Sequence, residues 1–318
     1  MATGEARNHH WVPQCYLKGF AKSRSKEAKL HVIDRKAGRE FVTVPRNVAS
    51  ARDFNRVDLD GISPNFVESN LASFEGLVDK ALERVTRDRE IHDIEDRNLI
   101  LNLMALLAVR NPAMRENVRR SMEQVMKRVL DLTIASEEHY AASFAAAVAD
   151  GALKAEDVLP YETMREFLDR DECSISVSTT RHVKQELSLV DTILPLLDRR
   201  NWLLVRASAD SGGFITSDHP VVLRWDREPP SGTFFSPGFG LRNTEVLLTL
   251  SHDVALIGSF NEAGGAVEVG ASQAAHINSV VMQYADRQIY ARDNRFWYLG
   301  PDLEMRRGGD ALKHFYGR

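Results

Sequence analysis

Cysteine is almost absent from this chain. Two occur in 318 residues, Cys15 and Cys173, far apart and outside any C-x-x-C pair. A disulfide framework and a zinc site built on thiolates are therefore not expected, and a reducing, cytoplasmic setting fits best. Long apolar runs are lacking too. The longest, Leu99–Val109 (LILNLMALLAV), is too short to cross a bilayer and carries Asn102. The opening MATGEARNHHWVPQ has no apolar h-region, so no secretory signal is expected. Positive charge is not in excess. Lys and Arg total 41 against 45 Asp and Glu, a net charge of -4. This excludes a uniformly basic nucleic-acid coat but not a local basic groove. No repeat, low-complexity tract, Walker loop, dinucleotide-binding glycine pattern or H-E-x-x-H is found, and Gly264-Gly265 reads as a turn.

What is present is ordinary globular composition, 43% apolar and 27% charged, which allows a sizeable core in one large domain or two intimate ones. His9-His10-Trp11-Val12-Pro13 precedes a short helix over residues 14–21, with Tyr16, Leu17 and Phe20 on one face. Residues 29–35 and 40–44 alternate like strands around Ala37-Gly38, a β-hairpin pattern. Residues 45–62 read as a loop. Ser63-Pro64 opens a helix reaching about Arg87, with a stripe that includes Phe66, Leu71, Phe74, Val78, Leu82 and Val85 at helical period. Further helices are expected over 95–110, 112–135, 137–149, 161–170 and 181–199, the last kinked at Pro195, with a short strand over Ile175–Ser178. From Trp202 onward the chain turns to short β-type runs: WLLVRA, FITS, PVVLRW, EVLLTLS, DVALIGSF and AVEVG. An amphipathic helix over 271–285 and a strand over 288–291 follow. The expected fold is α+β, a helical middle packed with a mostly antiparallel sheet from the C-terminal third and the N-terminal hairpin. We read 1–318 as a single domain, with 63–200 and 201–292 as its subdivisions.

Several polar residues stand out, each with a plainer account beside the functional one. His9-His10 pairs two imidazoles, which ligate metals or shuttle protons near neutral pH. In an extended segment they point oppositely, and the plainer account is a helix-start motif. Ser217-Asp218-His219-Pro220 sits between two strands, where Asp218 would bind a metal or orient a base. The plainer account is turn chemistry, and three neighbours do not converge into a catalytic triad. Glu68 and Glu75, two helical turns apart, share a face, as either a cation site or a solvated helix edge. Arg110 ends an apolar helix, where it either answers the helix dipole or grips an anion bidentately. The following Arg115, Arg119 and Arg120 are interrupted by Glu116 and Glu123 and read as a solvated face. Asn278, in the apolar stretch INSVVMQYA, needs a partner if it is buried.

The opening HHWVPQCYLKGF resembles that of a widespread, mainly bacterial domain-of-unknown-function family whose members begin with an HH-aromatic-V-P-Q-x-Y-L-x-x-F motif. Glu68 and Glu75 match its first-helix acidic positions, VRNP at 109–112 its helix-ending R-x-P, and FITSDHPVV at 214–222 its F-I-T-S-D-N-P-V-V. Asn278 and ADRQIYAR at 285–292 are similar to its closing motif. The chain departs from the pattern at His219, where Asn is common, and at TLSH over 249–252, where a P-L-S-P segment is common.

A purely structural role seldom needs so many polar landmarks, since each buried without a partner costs about 1–3 kcal/mol. We therefore expect His9, His10, Gln14, Glu68, Glu75, Arg110, Asp218 and Asn278 to converge. The expected function is metal-assisted hydrolysis of a phosphodiester by a nuclease-type effector in bacterial defence or toxicity. His9, His10, Gln14, Arg110 and Asp218 would act in catalysis. Arg110 and Asn278 would hold a nucleic acid or nucleotide, and His10, Glu75 and Asp218 would ligate a divalent metal ion. Two alternatives stand beside it. One is a non-enzymatic module that binds a protein or ligand and whose polar residues form a structural network. The other is a metal-independent nucleotide-processing enzyme.

Overall fold

In the computed structural model, residues 7–170, 174–227 and 236–315 are described. Cys173 and the first six residues lie outside this set. The chain divides into two units, Met1–Asn111 with Thr179–Arg318, and Pro112–Ser178. The division thus falls at 112 and 178 rather than at the change of pattern near 200.

Strand β1 (Asn8–His10) leads into helix α1 (Gln14–Leu17) and a 3-10 turn over Lys18–Phe20. The hairpin follows as β2 (Leu30–Asp34) and β3 (Arg39–Thr43). Strand β4 (Ser50–Arg52) returns to pair antiparallel with β1, setting His9 opposite Ala51. Helix α2 spans Phe66–Asp88 and helix α3 Ile94–Val109. Ser63 does not cap α2. Its carbonyl accepts the Phe66 N–H at 2.9 Å in a turn ahead of the helix, and Asn65 holds the cap position. Asp93 caps α3 by accepting the Glu95 N–H at 2.8 Å.

The smaller unit is helical: α4 (Pro112–Thr133), α5 (Glu137–Ala149) and α6 (Tyr161–Asp169). Proline at the first position of α4 has no amide hydrogen to satisfy there. Tyr140 centres this unit, its ring 4.4 Å from Phe144 and 5.6 Å from Tyr161, its hydroxyl donating to the Leu159 carbonyl at 2.6 Å. Residues 174–178 are irregular, so the short strand expected there is not formed. Among the described residues no strand lies paired with it, and so short a run does not hold alone.

The chain re-enters the larger unit as α7 (Thr179–Asp198), which runs through Pro195. Then come β5 (Asn201–Ala207), β6 (Thr216–Ser217), β7 (Val222–Trp225), β8 (Thr244–Thr249), β9 (Val254–Ser259) and β10 (Gly265–Val269). Helix α8 (Ala271–Tyr284), β11 (Gln288–Ala291), β12 (Trp297–Leu299), β13 (Met305–Arg307) and α9 (Ala311–Phe315) complete it. A five-stranded sheet has the order β10-β5-β9-β8-β7, antiparallel except for the parallel pair β10 and β5.

A four-stranded sheet, β3-β2-β11-β6, joins the N-terminal hairpin to the C-terminal third, with Tyr290 opposite Val32 and Thr216. The α+β fold is as expected, with the hairpin inside the C-terminal sheet. One core cluster buries Tyr16, Leu17, Phe20, Leu30, Leu82 and Ile100 under the N-terminal segment and helices; a second gathers Ile33, Phe214, Ile215, Val281 and Phe296 around α8. Gly19 is required where α1 meets the sheet, since a Cβ there would stand 2.8 Å from the Leu250 carbonyl oxygen.

Candidate acid–base site at the N-terminal strand

Strand β1 decides what the two histidines do, because successive side chains of a strand face opposite ways. His9 turns inward and is wholly enclosed. Its Nδ1 accepts the Asn55 backbone N–H at 2.9 Å, so the ring proton of the neutral imidazole sits on Nε2. Asn55 in turn donates its side-chain amide to Glu68 Oε2 at 2.6 Å, an oxygen 4.0 Å from His9 Nδ1. His9, Asn55 and Glu68 thereby tie β1 to α2.

His10 faces the other way and is only partly covered. Its Nε2 lies 3.2 Å from the Arg46 carbonyl oxygen. A carbonyl only accepts, so the proton belongs on Nε2 and the lone pair on Nδ1. Burial lowers the pKa of His10 below the ordinary 6.5. The Arg46 carbonyl and Glu68 oppose this, while Arg110 and His9 add to it. At neutral pH His10 is thus a neutral base.

Arg110 arrives from the end of α3, where its backbone N–H bonds the Leu106 carbonyl at 2.9 Å. Only 5% of the residue is exposed. Its Nη2 donates to the His10 carbonyl, stapling α3 to β1. Between them α2 presents Glu75 in a recess walled by Trp11, Pro13, Leu71, Phe74, Leu107 and Arg110. Burial raises the Glu75 pKa from 4.5 to about 7. Arg110 works against this rise and Glu68 adds to it by like-charge repulsion. The two helix carboxylates therefore have different tasks: Glu68 serves the His9 network, and Glu75 is half protonated near neutrality.

The other landmarks are engaged elsewhere. Asp218 is 6% exposed, and its Oδ1 accepts the Asp286 N–H at 3.0 Å. Its Oδ2 accepts those of Arg287 and Gln288 at 2.9 and 3.0 Å. Burial raises its pKa to about 6, the backbone donors limiting the rise. The carboxylate thus closes the turn into β11. The expected ligand set of His10, Glu75 and Asp218 is not assembled, because both Asp218 oxygens face residues 286–288. Among the described residues, no group of three or more His, Cys, Asp or Glu side chains is placed to hold one metal ion. The Ser217 hydroxyl accepts the His219 N–H at 3.1 Å, which is turn chemistry. The first and fourth motifs do meet, but through backbone: Trp11 Nε1 donates to the Asp218 carbonyl at 3.2 Å.

Asn278 is wholly buried on α8. Its Oδ1 accepts the Ile215 N–H at 3.0 Å, and its Nδ2 donates to the Gly213 and Trp297 carbonyls at 3.0 and 2.9 Å. It holds backbone rather than substrate. Gln14 is exposed at the first residue of α1. Sequence reasoning missed Asn55, which carries no signal inside an irregular segment. It also missed Asp34, whose carboxylate accepts from Arg287 Nε at 2.9 Å and Gln288 Nε2 at 2.7 Å, locking the hairpin to β11.

The family model described as "Protein of unknown function (DUF4238)" matches residues 8–295. The chain belongs to this family. No curated protein and no solved structure matches it.

Proposed function

We propose that this DUF4238 member cleaves phosphodiester bonds at the recess between β1, α2 and the end of α3, with an acid–base pair supplied by its own side chains. One observation carries the reading. Arg110, buried at the end of α3, acts electrostatically both on His10 of β1, a neutral base, and on Glu75 of α2, whose pKa is about 7. A base and an acid that change charge near the working pH are what proton transfer at a phosphoryl centre needs.

His10 Nδ1 takes the proton of the attacking water as its oxygen bonds to phosphorus. Glu75, in its acid form, gives a proton to the leaving oxygen as the P–O bond breaks. Arg110 places positive charge beside the developing phosphorane. Gln14, exposed next to this strand, positions the chain on either side of the scissile bond. The divalent ion expected from the sequence enters as an arm of the test.

The test is cleavage of fluorescent RNA and DNA oligonucleotides by wild type, His10→Ala and Glu75→Gln, each with EDTA or with manganese. Cleavage that survives EDTA and falls about 10²–10⁴-fold in both variants supports the acid–base reading. Cleavage abolished by EDTA and restored by manganese replaces it with metal-assisted hydrolysis. No cleavage of any substrate by wild type refutes both. That result favours a second reading, a binding module with a structural polar network, which the full satisfaction of Asn278 and Asp218 by backbone groups already supports.

A further inference from the structure

Away from this recess, the five-stranded sheet ends in an unprotected edge. Among the described residues, β10 pairs with β5 alone, and Gly265–Glu268 are all exposed. An edge strand leaves half its N–H and C=O groups facing outward, and natural edges are usually blunted by lysine, proline or a covering loop. This one reads Gly-Ala-Val-Glu-Val, with Val267 40% exposed.

A cavity of about 520 Å³ opens beside the start of the same strand. Its origin lies in the register. Ala266 stands opposite Leu204, and Leu204 opposite Leu256, so one row across three strands runs large, large, small toward the edge. The missing volume lies under α3, whose Ile100 and Leu101 form the opposite wall. Trp202 closes one end, its indole N–H held by the Leu197 carbonyl at 3.0 Å. The volume falls in the range of ligand sites rather than packing gaps.

Two cations and one carboxylate, Arg97, Arg200 and Glu90, line the cavity; Arg200 is committed to the Thr244, Gly258 and Phe239 carbonyls, which leaves Arg97 as the cation for a ligand. Arg97 gives Asp198 one bond to the carboxylate at 2.7 Å and one to the backbone carbonyl at 3.1 Å. That uses two of the five N–H groups of a guanidinium. Gly264 and the first residue of β10, Gly265, complete the mouth. Gly265 has φ +143°, which favours glycine, and nothing lies within 4 Å of where its Cβ would be. A Cβ on Gly264 would stand 3.0 Å from the Trp202 carbonyl oxygen. The backbone is bare where the cavity opens.

We propose that this edge captures the free carboxyl terminus of an extended peptide. The peptide adds antiparallel to β10, which brings its last residue to the Gly264-Gly265 end. The terminal carboxylate meets the bare backbone and Arg97, and the last side chain, apolar, fills the space over Ala266, Leu204 and Leu256. Main-chain pairing supplies affinity and the cavity supplies selectivity.

The experiment is binding of a fluorescent hexapeptide pool, randomised in its last three positions, each member made with a free carboxyl end and as the carboxamide. The wild-type chain is compared with Glu268→Pro, which removes one outward-facing edge donor, Ala266→Trp, which fills the cavity, and Arg97→Gln. Both strand positions are exposed, and the circular dichroism of each variant is matched to wild type. We expect saturable binding of free-acid peptides with apolar last residues, weakened at least about tenfold by amidation and by each variant. If Glu268→Pro misfolds, Ala266→Trp and amidation carry the test. No binding by wild type, equal binding of acid and amide, or binding unchanged in Ala266→Trp overturns the proposal. So does binding of small arylcarboxylates with no peptide bound.

Discussion

Replacing Glu75 by glutamine tests whether a charge is held at a cost for use. The carboxyl group has its pKa raised from 4.5 to about 7. The folded state therefore holds this proton more tightly than the unfolded chain does. The proton-linked stability is fully present below pH 4.5 and is lost as pH rises through 7. At about 1.4 kcal/mol per tenfold change in proton affinity, the loss is about 3 kcal/mol. The side chain is partly covered rather than sealed, and screening by water reduces this to about 2 kcal/mol. Glutamine keeps the shape and carries no charge. Glu75→Gln is thus more stable than wild type by about 2 kcal/mol at pH 8, and the gap falls below about 1 kcal/mol at pH 5.

The assay is urea unfolding followed by tryptophan fluorescence at pH 8, 6.5 and 5. All four tryptophans, Trp11, Trp202, Trp225 and Trp297, lie in the larger unit, so the signal reports the unit that holds Glu75. Other titrating groups, Asp218 among them, are common to both proteins and cancel in the difference. A variant that gains stability while losing cleavage marks a group kept for function. If Glu75→Gln is no more stable than wild type at pH 8, or if the gap is the same at pH 5, then Glu75 is not held near neutrality and the acid assigned to it is wrong.

Three further outcomes follow from other buried groups. Asn278→Ala leaves the Ile215 N–H and the Gly213 and Trp297 carbonyls without their side-chain partner; at about 1–3 kcal/mol for each stranded group, partly relieved by relaxation, the loss is about 4 kcal/mol in urea unfolding at pH 7. A loss under about 1 kcal/mol would show that α8 is not anchored this way. Asp218→Asn must turn an amide NH₂ toward the backbone N–H groups of residues 286–288 and costs about 2 kcal/mol in the same measurement, so an unchanged midpoint would return Asp218 to the list of free ligands. The Cys15 thiol, buried and with its pKa pushed up to about 12, stays unlabelled by iodoacetamide at pH 8 in the native protein and labels in urea; native labelling, read by peptide mass, would show that α1 opens.

Local pattern carried much of the fold. Five of the six β-type runs after residue 200, the period of α2 and the bounds of α5 and β11 follow from side-chain spacing, which depends on neighbours within a few residues. The failures have a common cause. FITS forms only Thr216–Ser217 because β11 pairs with nothing more of it. The strands over 297–299 and 305–307 were missed because each is three residues long and exists through the other. Ile175–Ser178 has strand-forming residues and, among the described residues, no strand paired with it. In each case the deciding contact is distant in sequence.

The candidate site divides along the same line. His9, His10, Glu75, Arg110, Asp218 and Asn278 look alike as polar residues in motifs. What separates them is whether their polar atoms are already committed to the backbone. Asp218 is committed by residues 68 to 70 positions later, and Asn278 by residues 63 and 65 positions earlier and 19 later. No local pattern could reveal either. Glu75 differs in kind. Leu71 and Phe74 beside it are legible in the period of α2, and they predict a carboxylate on the margin of an apolar stripe. What the period does not show is that Leu107 and Arg110 close over it from α3, which removes water and leaves one cation near. Burial raises the acid and the arginine limits the rise, so its pKa settles near neutrality instead of far above it. The chemistry proposed for this site rests on that balance, and it exists only once α3 has been laid against α2.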